Sequence, residues 1–225
     1  MKLRTIYLSL YGYPDEISDP FSFETRCLCN FVQRPARKMK IDTEGFNNIV
    51  VCGDPSPDAA VRLVHEKSLS VPFIPDLERY KMATDDEKHR YFIEILTEGL
   101  HRANEFHPLP IPALLELIRE YEDGKYRNCW IHQTKLLRGH GLRATLMCEL
   151  TMHEFSLTLS VSRKEKILMS ENILSTKPDE ICFHYMFKDI LLCDNNLVVT
   201  ARRGFDNLAQ IPLSRFEGEV GEGAV

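Results

Sequence analysis

Seven cysteines and eight histidines are the residues of this chain best equipped for chemistry, and their spacing decides which chemistry is open. A tetrahedral zinc site draws on Cys and His pairs a few residues apart, with a second such pair elsewhere. Cys27-Leu28-Cys29 has no second cysteine pair at that spacing. Cys129 and His132 stand three apart, and Cys182 and His184 two apart. On a strand, side chains three apart point to opposite faces, so Cys129 and His132 would need a bulge to share a metal. Buried thiols and surface imidazoles account for these residues more simply, and no metal site is expected. His65-Glu66 and His153-Glu154 begin like HExxH but lack the second histidine, which sets a metallopeptidase aside.

Covalent chemistry at a thiol needs a thiolate made accessible by a neighbouring base or a helix N-terminus. Cys52 is the best placed, because it ends an apolar run just before Gly53-Asp54-Pro55-Ser56-Pro57. Asp54 opposes activation, since a nearby carboxylate raises a thiol pKa. The chain holds no GxxxxGK[ST], no GxGxxG and no GxSxG, so no phosphate loop or nucleophile elbow is expected. His132-Gln133-Thr134 is similar to one HxT element of the two-histidine phosphoesterases. Their chemistry takes two copies, one histidine as base and one as acid, and no second HxT or HxS occurs. Arg163-Lys164-Glu165-Lys166 and Arg202-Arg203-Gly204 read as edge protection at strand ends. No catalytic residue, cofactor or metal is assigned.

The elements that carry these residues fall into three zones. Residues 1–55 read as strands: Lys2–Tyr11, then Phe21–Phe31 with a period of two, then Arg37–Thr43 and Phe46–Cys52. Residues 56–124 read as helical. Ser56-Pro57-Asp58 opens a helix over Ala59–Lys67, and Ser70–Pro75 is an extended connection. Thr84-Asp85-Asp86-Glu87 is a capping box ahead of Tyr91, Phe92, Ile95, Leu96 and Leu100 at helical spacing. A further helix runs over Pro112–Asp123 and stops at Gly124. Residues 127–215 read as an antiparallel meander, with Cys129–Leu137, Leu142–Leu150, Phe155–Val161, an alternating set Ile181–Phe187, and Leu197–Arg202. The expected fold is therefore α+β, a predominantly antiparallel sheet packed against a central helical segment. It is expected as one domain over 1–216 with a flexible acidic tail from 217 to 225.

Composition narrows the function. No stretch approaches the ~20 apolar residues that span a bilayer. The N-terminal run is interrupted by Arg4, Thr5 and Ser9 and reads as a strand rather than a secretory signal. An odd number of cysteines without an export signal points to reduced thiols and a cytoplasmic setting. The net charge of −5 is uneven along the chain: residues 56–124 hold eight basic and fourteen acidic groups, and residues 125–170 eight and three. An acidic chain is poorly suited to nucleic acid, and neither nucleic acid nor membrane is expected as a partner.

The leading expectation is a non-catalytic binding protein, with the general profile of a bacterial immunity or inhibitor protein that neutralises a basic toxin domain by direct contact. No motif carries this profile. The contact is expected on the acidic helical zone, through Asp85, Asp86, Glu87, Glu94, Glu98 and Glu105, with Tyr80 and Tyr91 as aromatic anchors. The alternative is a small hydrolase or transferase using Cys52, His132, His140 or Arg202. A homodimer through an exposed sheet edge stays open.

Overall fold

The computed structural model describes residues 1–56, 60–65, 67–202 and 206–217. The chain divides into two compact units, Met1–Asn128 and Cys129–Val225, where the sequence suggested one domain. The division falls where the helical zone gives way to the meander. Fold class is α+β, and strand pairing is mostly antiparallel across three sheets. Pro57-Asp58, Ala59, Glu66, Arg203-Gly204 and the tail beyond Glu217 lie outside the described residues.

The first unit runs β1 (Thr5–Leu10), α1 (Asp15–Met39), β2 (Asn48–Gly53), β3 (Arg62–Val64), β4 (Ser68–Phe73), α2 (Leu77–Met82), α3 (Asp85–Phe106) and α4 (Ile111–Asp123). Its sheet has the order β1-β2-β4-β3, with β1, β2 and β4 parallel and only β3 antiparallel. The N-terminal strands were expected to pair antiparallel. A parallel partner must be reached by a long crossover, and α1 supplies it.

Residues 21–31 and 37–39, expected as strands, belong to this 25-residue helix. The buried side chains Phe21, Thr25, Leu28, Cys29, Val32 and Ala36 recur at helical spacing, while Phe23 and Phe31 of the alternating set are only half-buried. Asp15 and Glu16 in the first turn and Arg37 and Lys38 in the last complement the helix dipole. Lys40 closes the helix in the left-handed conformation.

The helix also closes the free edge of β1. The backbone N–H of Ile6 donates to Gln33 Oε1 at 3.3 Å, and Thr25 Oγ1 donates to the Leu8 carbonyl at 3.3 Å. The Arg37 guanidinium donates to the carbonyl of Arg4. Gln33 and Thr25 are fully buried polar side chains because they stand in for a missing strand.

Two further elements differ from expectation. Arg62–Val64, placed in a helix, is a strand that pairs antiparallel with Ser68–Ser70, and His65 turns between them at φ 50°. The extended connection Ser70–Pro75 is for the most part strand β4, parallel to β2 from Asn48↔Ser68 to Gly53↔Phe73. Its Leu69 and Val71 are fully buried, so two prolines nearby did not keep it out of the sheet.

Helix α3 buries Tyr91, Phe92, Ile95, Leu96, Gly99, Leu100 and Ala103, a face that packs on β2 and β4. Gly99 sits so close to Val51 that an added Cβ would lie 2.7 Å from one of its methyl groups and closer to the other. The backbone of α3 therefore meets the sheet directly at this point.

The second unit holds the meander β5 (Cys129–Leu137), β6 (Leu142–Leu150), β7 (Phe155–Arg163) and β8 (Lys166–Thr176), paired antiparallel in that order. Leu142, Ala144, Leu146, Cys148 and Leu150, with Phe155, Leu157, Leu159 and Val161, are buried as the alternation requires. Then follow α5 (Glu180–Phe183), β9 (Ile190–Cys193), β10 (Asn196–Val199), β11 (Ala209–Pro212) and a 3-10 turn, Leu213–Phe216. The expected strand at Ile181–Phe187 is instead a helical turn capped by Asp179, which accepts from the Ile181 N–H at 2.8 Å. Its buried aromatics, Phe183 and Phe187, are four apart, and both stack on Phe155. The strand expected over Leu197–Arg202 ends at Val199. No helix among the described residues is long and apolar enough to cross a membrane.

Replacing Gly99 by alanine tests the seating of α3. In a free helix alanine is favoured by about 1 kcal/mol. Here overpacking against Val51 reverses the sign, and Gly99→Ala lowers stability by about 1–3 kcal/mol in urea denaturation. Val51→Ala in the same background recovers part of the loss; a more stable Gly99→Ala protein would contradict the seating.

Candidate functional site

Burying Tyr91, Ile95, Leu96 and Leu100 turns the opposite side of α3 to solvent. Glu87, Glu94, Glu98 and Glu105 are all exposed, and at 100° per residue they fall within about 40° of arc, a stripe roughly 27 Å long. Arg90 and His101 are exposed at intermediate positions along it. Asp85 and Asp86 are exposed in the first turn but, by the same geometry, point away from the stripe. The structure thus gathers four of the six expected carboxylates and leaves two apart.

The N-terminal end of the stripe is built by the capping box. Glu87 accepts from the Thr84 backbone N–H at 2.8 Å and from its hydroxyl at 2.7 Å. These bonds, the backbone one foremost, hold the Glu87 carboxyl below the usual carboxylate range. Helix α2 then ties Glu94. The Arg79 guanidinium engages it through two bonds, of 2.6 and 2.9 Å, and holds its carboxyl below the ordinary range. Arg79 is oriented in turn: its backbone N–H donates to Asp76, the N-cap of α2, and its guanidinium lies 4.8 Å over the Tyr91 ring. Glu98 forms no salt bridge among the described residues.

Tyr80 and Tyr91, expected as anchors for a partner, are each 5% exposed and serve the fold. Tyr91 Oη accepts from the Asp76 N–H at 2.7 Å, and Tyr80 Oη donates to Glu24 at 2.9 Å. Lys88 joins that group with an ion pair to Glu24 at 2.8 Å, and burial, ahead of the Glu24 charge, pushes the Tyr80 phenol up. These internal bonds, rather than a partner, take up the two side chains expected as anchors. Their neighbours at helical spacing place them on the inner face.

The apolar side chains this surface does expose are Ile74 at 70% and Met82 at 82%. Each lines an open cleft. One, of about 440 Å³, lies among Phe73, Ile74, Glu94, Glu98 and Arg102. The other, of about 420 Å³, lies among Arg79, Met82, Glu87, Arg90 and Glu94. Glu94 borders both, and Arg102 is fixed by donating to the carbonyl of Pro72. Neither Ile74 nor Met82 was singled out from sequence. Ile74 directly follows β4 and Met82 is the last residue of α2, positions that carry no periodic signal.

Cys52, Cys129 and His132, weighed for other chemistry, are engaged in contacts of their own. Cys52 accepts from Ser9 Oγ at 3.7 Å, and burial, aided by Asp54, pushes its thiol up, away from the thiolate a nucleophile needs. A bulge does occur in β5 between Ile131 and Gln133. Even so, Cys129 Sγ faces Glu149 at 3.4 Å and His132 Nε2 lies 3.0 Å from the carbonyl of Lys188. Among the described residues no three Cys, His, Asp or Glu side chains converge as a metal site. His140 is half-buried in the β5–β6 turn, and Arg202 donates its backbone N–H to the Tyr185 carbonyl while its Nε is buried without a hydrogen-bond partner among the described residues. Comparison with protein-family models, curated proteins and solved structures gave no match.

The lowered carboxyls of Glu87 and Glu94 set a pH dependence. A folded-state pKa below the unfolded one adds stability above the unfolded value, near ~4.3, and the gain is lost as pH falls through the folded value. Acid titration of the wild type therefore shows a stability loss below about pH 4.3 that is smaller in Glu94→Gln. Equal slopes for the two proteins would show that the Arg79 pair contributes nothing.

Proposed function

We propose that this protein is a non-catalytic binding protein that docks a basic protein domain on the outer face of α3, in the manner of an inhibitor or immunity protein acting in the cytosol. The observation that carries the reading is the co-location of four aligned carboxylates with two clefts that hold exposed Ile74 and Met82. A face that only solubilises needs charge, but neither clefts nor exposed aliphatic side chains. Interfaces combine an apolar centre with a polar rim, and Ile74 and Met82 on either side of Glu94 supply that centre.

Roles follow from the geometry. Glu98 and Glu105 meet cations of the partner and speed encounter through long-range attraction. Glu94 is pre-oriented by Arg79, so less side-chain entropy is lost when it meets a second cation. Arg79 and Arg90 reject a partner whose charges are out of register, since like charges brought together across an interface cost several kcal/mol. Ile74 and Met82 contribute slow dissociation by burying apolar surface.

The test is co-expression with the product of the adjacent reading frame, followed by purification of the pair. A one-to-one complex is expected. Glu94→Lys with Glu98→Lys weakens it at least tenfold, and Met82→Ser slows association little but speeds dissociation. A complex of unchanged affinity after charge reversal, or a lone protein that turns over phosphoesters or amides, would overturn the proposal.

A further inference from the structure

The meander carries a second surface of opposite character. Its strands alternate in direction, so the β5–β6 turn and the β7–β8 turn emerge at the same end. That end holds Arg138, Arg143, Arg163, Lys164 and Lys166 against one acid, Glu165. Arg163 is turned inward, with its guanidinium donating to the Phe216 carbonyl at 2.8 Å, while the other four cations are exposed.

Register places apolar side chains among these cations. Leu136, Arg143, Ser162 and Ile167 face one another across the four strands and so share one face of the sheet. Leu136 is 59% exposed and Ile167 65%, one at each edge of the row. Leu136 also borders an open cleft of about 280 Å³, lined by Arg138, Arg143 and Lys164 together with Gly139 and Gly141. Both glycines have positive φ, and a Cβ on either would meet no atom within 4 Å, so the turn stands clear of the rest of the unit.

We propose that this hairpin end docks peripherally on an anionic phospholipid surface. Leu136 and Ile167 enter the boundary between headgroups and acyl chains, while Arg138, Arg143 and Lys164 lie at the level of the phosphates, one of which occupies the cleft. Two exposed aliphatic side chains on a projecting end suit a lipid boundary. A single-stranded nucleic-acid site would instead interleave its cations with exposed aromatic rings, and among the described residues this end offers only half-buried His140 and buried Phe216. No helix among the described residues is long and apolar enough to span a membrane, but peripheral docking needs no span.

The experiment is co-sedimentation of the full chain with vesicles of phosphatidylserine and phosphatidylcholine, against vesicles of phosphatidylcholine alone. Binding is expected only to the anionic vesicles and is lost at high salt. Arg138→Ala with Lys164→Ala lowers partitioning about 25-fold, from the contribution of two cations near a charged surface. Leu136→Ser with Ile167→Ser lowers it about tenfold. All four side chains are exposed, so the variants keep the fold, which circular dichroism checks. Absence of sedimentation would overturn the proposal. So would partitioning that survives the Leu136 and Ile167 changes while duplex DNA binds as tightly, because that pattern describes a general polyanion patch.

Discussion

The close approach of α3 to the parallel sheet at Gly99 and Val51 is the contact on which the outer surface of the first unit depends. With no side chain at 99, the helix backbone rests against Val51, and the rotation of α3 about its axis is fixed. Once that rotation is set, Phe92, Leu96, Leu100 and Ala103 must point inward. Glu87, Glu94, Glu98 and Glu105 then have to line up outside. A helix rotated by one residue would carry the same acids about 100° around and break their alignment with the clefts at Ile74 and Met82. Helix α2 depends on the same seating, because Tyr91 receives the Asp76 N–H and lies under Arg79.

The two units handle free strand edges differently, and this bears on what each can present. In the first, α1 covers the edge of β1 with Gln33, Thr25 and Arg37, so the edge is closed by side-chain hydrogen bonds. In the second, β8 is an edge strand with two bulges, at Leu168 and Ile173, that break its regularity. Glu171 stands opposite buried Leu159 and is held by Arg215 at 2.6 Å. A charge on the core side of an edge strand disfavours addition of another strand. A homodimer through β8 would have to disrupt both devices. The partner surfaces proposed above, the carboxylate stripe of α3 and the cationic hairpin end, use side chains rather than these two strand edges.

Legibility in the sequence followed the length and purity of each pattern. The capping box at Thr84 and the strict alternation in β6 and β7 are long, one-sided patterns, and both elements form where they were expected. Residues 21–31 satisfied a period of two and a period of 3.6 together, since Phe21, Thr25 and Cys29 belong to both. Only the pairing of β1 with β2 in parallel, which demands a crossover, selects the helix. Strand β4 was hidden by Pro72 and Pro75, and Phe183 and Phe187 were hidden by alternating neighbours, Ile181 and Tyr185, that turn out to be exposed. At the candidate site the carboxylates could be read because their spacing of seven, four and seven is itself helical. Tyr80 and Tyr91 were misplaced for want of their partners, Glu24 and Asp76, one of which is fifty-six residues away in the chain. Ile74 and Met82 had no periodic signal at all.

Under the proposed function the carboxylates of α3 are covered by a partner rather than by water alone. Carbodiimide labelling of the purified complex, read by peptide mass, measures that coverage side chain by side chain. Glu98 and Glu105 are predicted to lose most of their reactivity on complex formation, while Asp85, off the stripe, keeps its own. A complex that forms with Glu98 and Glu105 as reactive as in the free protein would place the contact elsewhere and contradict the account.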